Sequence, residues 1–238
     1  MNRPDLTVVM PVYNEEASLV GVIRDWLGAL AKERISGRLI VVNDGSRDGT
    51  LLLLQRCAAE FPDRMLIVDQ PNSGHGRSCR AGYERALLER SPWIFQVDSD
   101  GQCDPVYFPE FWRLRNESDC VFGTRVVRDD GFMRKMISIG CRVVTGIVTG
   151  MDLKDPNVPY RLMKREALEA ALRSVPRDLN LQNIALTIAL KRRPELRWVH
   201  LPIRFRVRQA GSNSMNLFKI VKMGWGFLIQ IRRIRRRG

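Results

Sequence analysis

Short apolar runs alternate with amphipathic stretches through the first hundred residues. Leu6–Met10 is the first run, closed by Pro11, whose missing N–H predicts the end of a strand there. Glu15–Ala31 carries apolar residues at helical spacing. Leu39–Val42 predicts a second strand that stops at Asn43-Asp44-Gly45, and a helix over Thr50–Glu60 follows. Met65–Val68, Ser78–Glu89 and Trp93–Val97 repeat the rhythm of strand, helix and strand, and the last run ends in Asp98-Ser99-Asp100-Gly101. Apolar strands alternating with helices belong to a mostly parallel sheet covered on both faces. Ligands of such sheets bind beyond the carboxyl ends of the strands. The polar clusters Asn14-Glu15, Asp44-Gly45-Ser46 and Asp98 to Gln102 all fall at that end.

The second half is less regular. Pro105–Asn116 and Leu179–Leu190 predict helices, and Cys120–Gly123 and Trp198–Val207 predict strands. Met133–Thr149 has helical length but is broken up by β-branched residues and glycines. Met215–Arg237 is a basic, apolar helix candidate. No linker divides the chain, so the expected organisation is one α/β domain over 1–214 followed by a C-terminal helix over 215–238. A chain of 238 residues buries a core large enough to need no disulfides. Its five cysteines are scattered and form no Cys-x-x-Cys pair, which predicts small buried hydrophobes in a reducing compartment. No apolar stretch of signal-peptide character precedes the first strand.

Charge changes the picture only at the end of the chain. The net charge is +13, yet residues 1–189 hold 25 basic and 25 acidic residues. The excess lies in 190–238, with 14 Lys/Arg against the single acid Glu195. An asymmetry of this kind points to an anionic partner, lipid or nucleic acid. The apolar content of the tail favours lipid. At helical spacing Lys219, Lys222, Gln230, Arg233 and Arg237 gather on one side, and Phe218, Val221, Trp225, Leu228 and Ile229 largely on another. Charges at both ends leave the stretch too short to span a bilayer but suited to lie in its interface.

The chemistry concentrates at the strand ends. Asp98 and Asp100, two residues apart in a turn, can converge on one Mg²⁺ or Mn²⁺, a cation that takes one or two carboxylates plus substrate phosphates. Gln102 can add a neutral oxygen. Asp104 before Pro105 fits a helix N-cap. Asp44 can hydrogen-bond a base or ribose, with Asp48 capping the helix after it, and Tyr13 offers a stacking face. Asn72-Ser73-Gly74-His75-Gly76-Arg77 is a turn whose glycines allow close backbone approach, and His75 by itself fits a structural role better than a catalytic one.

Four segments, VVMPVYNEE, VVNDGSRDGT, NSGHGRSCRAGYERA and QVDSDGQCDP, stand in an order and spacing that resembles the family 2 glycosyltransferases of GT-A fold, above all the dolichol-phosphate mannose synthase branch. The resemblance covers about residues 5–214. It implies a Rossmann-like sheet binding a nucleotide sugar. It implicates Pro11, Tyr13, Asn14, Glu15, Asp44, Gly45, Ser46, Gly74, Asp98 and Ser99 in holding the nucleotide, and Asp98, Asp100 and Gln102 in holding metal and diphosphate. Phe122-Gly123-Thr124-Arg125 resembles the family's Gly-[Ser/Thr]-Arg element, and Arg134 with Ser138 its Arg-x-x-x-Ser grip on acceptor phosphate. Asp155-Pro156 to Tyr160-Arg161 resembles the Asp-Pro…Gly-Phe-Arg stretch, and Arg208 to Gly211 the loop that closes over the site. Pro159 replaces a Gly of the pattern, Asn213 stands where a Ser often follows the closing Gly, and Gln182-Asn183 occupies the region where polysaccharide-forming relatives carry an acidic base. These departures bear on the acceptor more than on the donor.

The resemblance implies an inverting displacement at the anomeric carbon. A hydroxyl acceptor needs a general base. A phosphate monoester does not, because its second pKa of about 6 leaves it largely dianionic. The acceptor set is Arg125, Arg134, Ser138 and Arg208, and arginine grips phosphate but cannot act as a base. The catalytic set is Asp98, Asp100, Arg125 and Arg134. The expected partners are a nucleotide-sugar donor, a polyprenyl phosphate and an anionic membrane surface, with a peripheral position on the cytoplasmic face. Oligomeric state stays open. The alternatives are transfer to a hydroxyl of a glycan or glycolipid, with an essential carboxylate near Asp155 or Asp178; a sugar nucleotidyltransferase, whose glycine-rich basic loop PVYNEE is not; and a nucleic-acid module, against which the apolar tail speaks.

Overall fold

The computed structural model describes residues 3–126, 146, 150–151 and 153–206. The stretch Met133–Thr149, apart from Gly146, and the expected helix over Met215–Arg237 lie outside the described residues, as do Arg134, Ser138, Arg208 and Cys141.

A seven-stranded sheet organises the rest, in the order β3-β2-β1-β4-β6-β5-β7. The strands are β1 (Leu6–Val12), β2 (Gly37–Asp44), β3 (Met65–Gln70), β4 (Trp93–Val97), β5 (Cys120–Arg125), β6 (Tyr160–Lys164) and β7 (Trp198–Ile203). β1 pairs parallel with β2 and β4, β2 with β3, and β5 with β7. Only β6 runs antiparallel, wedged between β4 and β5. Pro11 does not end the first strand: it stays in register with Val42, while pairing with β4 ends at Val9.

The helices are α1 (Leu19–Lys32), α2 (Thr50–Glu60), α3 (His75–Leu88), α4 (Phe108–Leu114, after a 3-10 turn at Pro105–Tyr107), α5 (Arg165–Ser174) and α6 (Gln182–Lys191). Asp104 caps that turn as expected, accepting from the Val106 N–H at 3.0 Å. On one face of the sheet, Trp26 of α1 meets Phe95 and Tyr160, with ring centroids 5.4 and 5.8 Å apart, and Phe108 and Phe111 complete the cluster. Such pairs contribute about 0.5–1.5 kcal/mol each beyond area burial. On the other face α3 lies so close to β1 and β2 that a Cβ at Gly82 would collide with the Val9 side chain. That approach carries the start of α3 up to the strand ends. The described cysteines, Cys57, Cys79, Cys103 and Cys120, are free and buried. No helix among the described residues is long and apolar enough to cross a membrane.

Candidate active site

An open cleft of about 390 Å³ lies across the carboxyl ends of β1 to β4. Its wall from the β1 end is Pro11, Val12, Tyr13 and Glu15, and Asp44 comes from β2. Asn72, Gly74, His75 and Ser78 come from the turn into α3, and Asp98, Ser99 and Asp100 from the end of β4. The apolar strands thus deliver their polar termini to one place.

The expected first helix begins later than its periodicity implies, because Asn14 to Glu16 are bonded to the β2–α2 loop instead. The Asn14 N–H donates to Ser46 Oγ at 3.0 Å, and Asn14 Oδ1 accepts from the Arg47 N–H at 2.8 Å. The Glu15 and Glu16 N–H groups donate to Thr50 Oγ1 and Asp48 Oδ2, and Glu16 Oε2 accepts from the Gly49 N–H. Asn14 adopts φ +52°, a left-handed conformation that Asn tolerates when its side chain bonds locally. Asn14 and Ser46, which the sequence places with the nucleotide, therefore spend their polar atoms on joining two loops. Neither they nor Gly45 line the cleft.

Asp44 is 3% exposed and closes a similar internal circuit. Its Oδ1 accepts from Gln70 Nε2, the Ser73 N–H and Ser73 Oγ, each at 2.9 Å, and its Oδ2 accepts from the Gly74 N–H at 2.8 Å. Burial would raise its pKa. The donors from Gln70, Ser73, Ser78 and Gly74 outweigh that and hold it below the ordinary carboxylate value. Gly74 needs its φ of +94° to turn that N–H inward. The turn predicted to approach a ligand thus wraps the protein's own carboxylate, and α3 starts immediately beyond it.

Asp98 and Asp100 line the cleft from the end of β4. Burial pushes the Asp98 carboxyl above its ordinary pKa; His75 pulls it down, and Asp100 pushes it up again. His75 Nε2 is 3.8 Å from Asp98 Oδ1. The Cys79 sulfur and, against the penalty of burial, the Asp98 carboxylate raise the imidazole pKa, which favours the cationic ring at neutral pH. Two hard-oxygen carboxylates in mutual repulsion beside an open cleft suit Mg²⁺ or Mn²⁺. Among the described residues no group of three or more His, Cys, Asp or Glu encloses a metal; Mg²⁺ typically takes only one or two carboxylates plus substrate phosphates. Gln102 is bonded into the same loop. Its N–H donates to Asp100 Oδ1 at 3.1 Å, and its side chain turns to the Arg206 carbonyl. Arg206 in turn bonds Asp104 at 2.7 Å and Asp25 at 3.0 Å, tying the end of the described chain to the Asp-x-Asp loop.

Arg125 has a carboxylate partner within the protein. It pairs bidentately with Asp155, Nε and Nη2 each at 2.7 Å from a carboxylate oxygen. Arg161 is fully buried and donates to the carbonyls of Pro156, Val158 and Asn183, which makes the Asp155–Arg161 stretch a brace between β6 and α6. Val12 and Ser78 line the cleft without having been singled out in the sequence, and Asn72 and His75 line it from the glycine turn that was.

The profile of the family described as Glycosyl transferase family 2 matches residues 7–172. An undecaprenyl-phosphate 4-deoxy-4-formamido-L-arabinose transferase of Pectobacterium atrosepticum is 27% identical over 227 residues, covering 94% of this chain. The protein of the same name from Yersinia pestis is 27% identical over 228 residues. The chain spans about two thirds of the length of these relatives, 66% and 67%. Glucosyl-3-phosphoglycerate synthase from Mycobacterium tuberculosis, crystallised with Mn²⁺, UDP-glucose and phosphoglyceric acid, superposes with a TM-score of 0.67 at 18% identity, over 98% of this chain and 79% of its own. A mannosyltransferase from Pyrobaculum calidifontis, in complex with GDP-mannose and Mn²⁺, gives 0.63 at 20% identity, over 100% and 65%. At these identities the likeness is one of fold, the GT-A arrangement expected from the sequence.

Proposed function

The chain belongs to glycosyl transferase family 2, and from that premise we propose that it transfers a sugar from a nucleotide-sugar donor to a polyprenyl phosphate. The observation that carries the donor half is the cleft, which an aromatic residue, Tyr13, lines together with the Asp98-Ser99-Asp100 turn. Tyr13 stacks on the base, and Pro11 and Glu15 shape its pocket. Asp44 holds the Gly74 turn that faces them, and Asp98 and Asp100 carry a divalent cation. When bound, that cation neutralises charge gathering on the departing diphosphate. An acceptor phosphate oxygen forms the new bond to the anomeric carbon as the bond to the diphosphate oxygen breaks on the opposite face, which inverts the centre.

The acceptor half is supported by the names of the curated relatives and by the state of Asp155. A hydroxyl acceptor needs a base, and both Asp155 oxygens already accept from Arg125. A phosphate dianion needs none. In this reading Arg125, Arg134, Ser138 and Arg208 grip the acceptor phosphate. The test is an incubation of the full chain with UDP- and GDP-sugars, Mn²⁺ and undecaprenyl phosphate, followed by mass spectrometry of the lipid. A glycosyl phospholipid is the expected product. Transfer only to hydroxyl acceptors would overturn the lipid reading and leave the transferase reading standing.

The basic tail fits the same acceptor, as a helix lying on an anionic cytoplasmic leaflet. Each Lys or Arg near such a surface contributes about 1 kcal/mol. Replacing Arg232, Arg233, Arg235, Arg236 and Arg237 by Gln should therefore abolish co-sedimentation with anionic vesicles. Equal sedimentation of both forms would exclude the tail as the anchor.

A further inference from the structure

Gln96 breaks the pattern of its strand. It is a carboxamide within the buried run Trp93–Val97 and has no exposed surface. Burying an amide is costly unless its hydrogen bonds are met, and here they form a directed chain. The Tyr83 hydroxyl, fully buried on α3, lies 3.1 Å from Gln96 Oε1. Gln96 Nε2 lies 3.3 Å from Asp98 Oδ1 and 3.9 Å from the Cys79 sulfur. A metal-binding carboxylate is ionised and only accepts. The NH₂ of Gln96 must then face Asp98, its oxygen must face α3, and the Tyr83 hydroxyl must be the donor. Each direction follows from the one before it.

We propose that Tyr83 and Gln96 are positioning residues for the cation site: together they hold Asp98 Oδ1 from the protein side and leave Oδ2 to the ion. Neither touches substrate, and the inference rests on the metal reading of Asp98 given above. The α3 helix thereby has two ties to the cleft, the Gly74 turn at its start and Tyr83 two turns further on. Groups that orient a metal ligand in this way are worth about 10–100-fold in metal affinity or activity. Gln96→Leu keeps much of the side-chain volume and removes the amide. Tyr83→Phe keeps the ring and removes only the hydroxyl, at the far end of the chain from Asp98.

The experiment measures Mn²⁺ binding to the full-length protein by electron paramagnetic resonance of the free ion, with and without nucleoside diphosphate, so that no turnover is involved. Melting temperatures are recorded in chelator. Asp98→Asn should abolish binding. Gln96→Leu should raise the Mn²⁺ dissociation constant about 10–100-fold, and Tyr83→Phe should raise it several-fold. If Asp98→Asn binds Mn²⁺ like the parent, the metal reading itself fails, and this inference with it. If Asp98→Asn loses the ion while Gln96→Leu and Tyr83→Phe bind it like the parent, the positioning role alone is overturned. Should Gln96→Leu fail to fold, Tyr83→Phe decides by the same criterion.

Discussion

Asp100→Asn should cost transfer on the order of a thousandfold and leave the protein folded. Stabilising charge on a leaving diphosphate supplies several kcal/mol, at tenfold per 1.36 kcal/mol. The substitution removes one of two carboxylates available to the cation, and it also removes a like charge whose repulsion raises the Asp98 pKa. Activity and stability therefore move in different directions: turnover collapses while the melting temperature stays level or rises. Excess chelator acting on the parent protein should reproduce the loss, and added Mn²⁺ or Mg²⁺ should restore it. Full activity in chelator would end the metal reading.

Asp44→Ala should lower both stability and nucleotide binding. The substitution deprives the Ser73 and Gly74 N–H groups and the Gln70 amide of their acceptor. Buried donors left without partners cost about 1–3 kcal/mol each, so a loss of roughly 2–5 kcal/mol is expected. In a domain of this size that lowers the melting temperature by roughly 5–15 °C. The same carboxylate gives a signed pH dependence. Its folded pKa lies below its ordinary value of 3.8. Its contribution is fully present above that ordinary value and is lost as pH falls through the folded one. The parent should therefore lose stability more steeply than Asp44→Ala on acidification below about pH 4. Parallel acid-unfolding curves would show that Asp44 is not the group responsible. Calorimetry with a nucleoside diphosphate, at a temperature where both proteins are folded, checks the binding half.

The parallel half of the sheet was legible because its strands are buried on both faces and read as unbroken apolar runs. The helix Thr50–Glu60 and the strand Trp93–Val97 fall where the periodicity puts them. β6 was not legible. Tyr160–Lys164 follows a proline and contains Arg161, a residue no pattern puts inside a sheet. Its guanidinium is made acceptable by carbonyls of Pro156, Val158 and Asn183, contacts visible only after folding. The cleft was legible to the extent that strand ends are. Asp98, Asp100, Tyr13 and Asp44 could be named because chain direction alone puts them at one end of the sheet. What Asp44 bonds to could not be named, since its partners come from a turn some thirty positions away. The bonds by which Asn14 joins Ser46 and Arg47 were hidden for a related reason. A polar residue beside a ligand site and one that stitches its loops look the same in sequence.

The place of β6 in the sheet also sets a timetable for biosynthesis. β1 to β4 can pair as soon as residue 97 has left the ribosome, and the β1 to β4 walls of the cleft can gather with them. β5 emerges next and has nowhere to go, because its neighbours are β6 and β7. Until residue 160 appears, the apolar strand Trp93–Val97 keeps a free edge, open to pairing with another chain. The nascent protein is therefore most vulnerable to aggregation while residues 98–159 are being made, and chaperone demand should fall once Tyr160–Lys164 closes β4. The bond from Arg206 to Asp25, across 181 positions, comes later still. A ribosome stalled before that point holds the β1 to β4 walls of the cleft without the tie that Arg206 makes to the Asp-x-Asp loop.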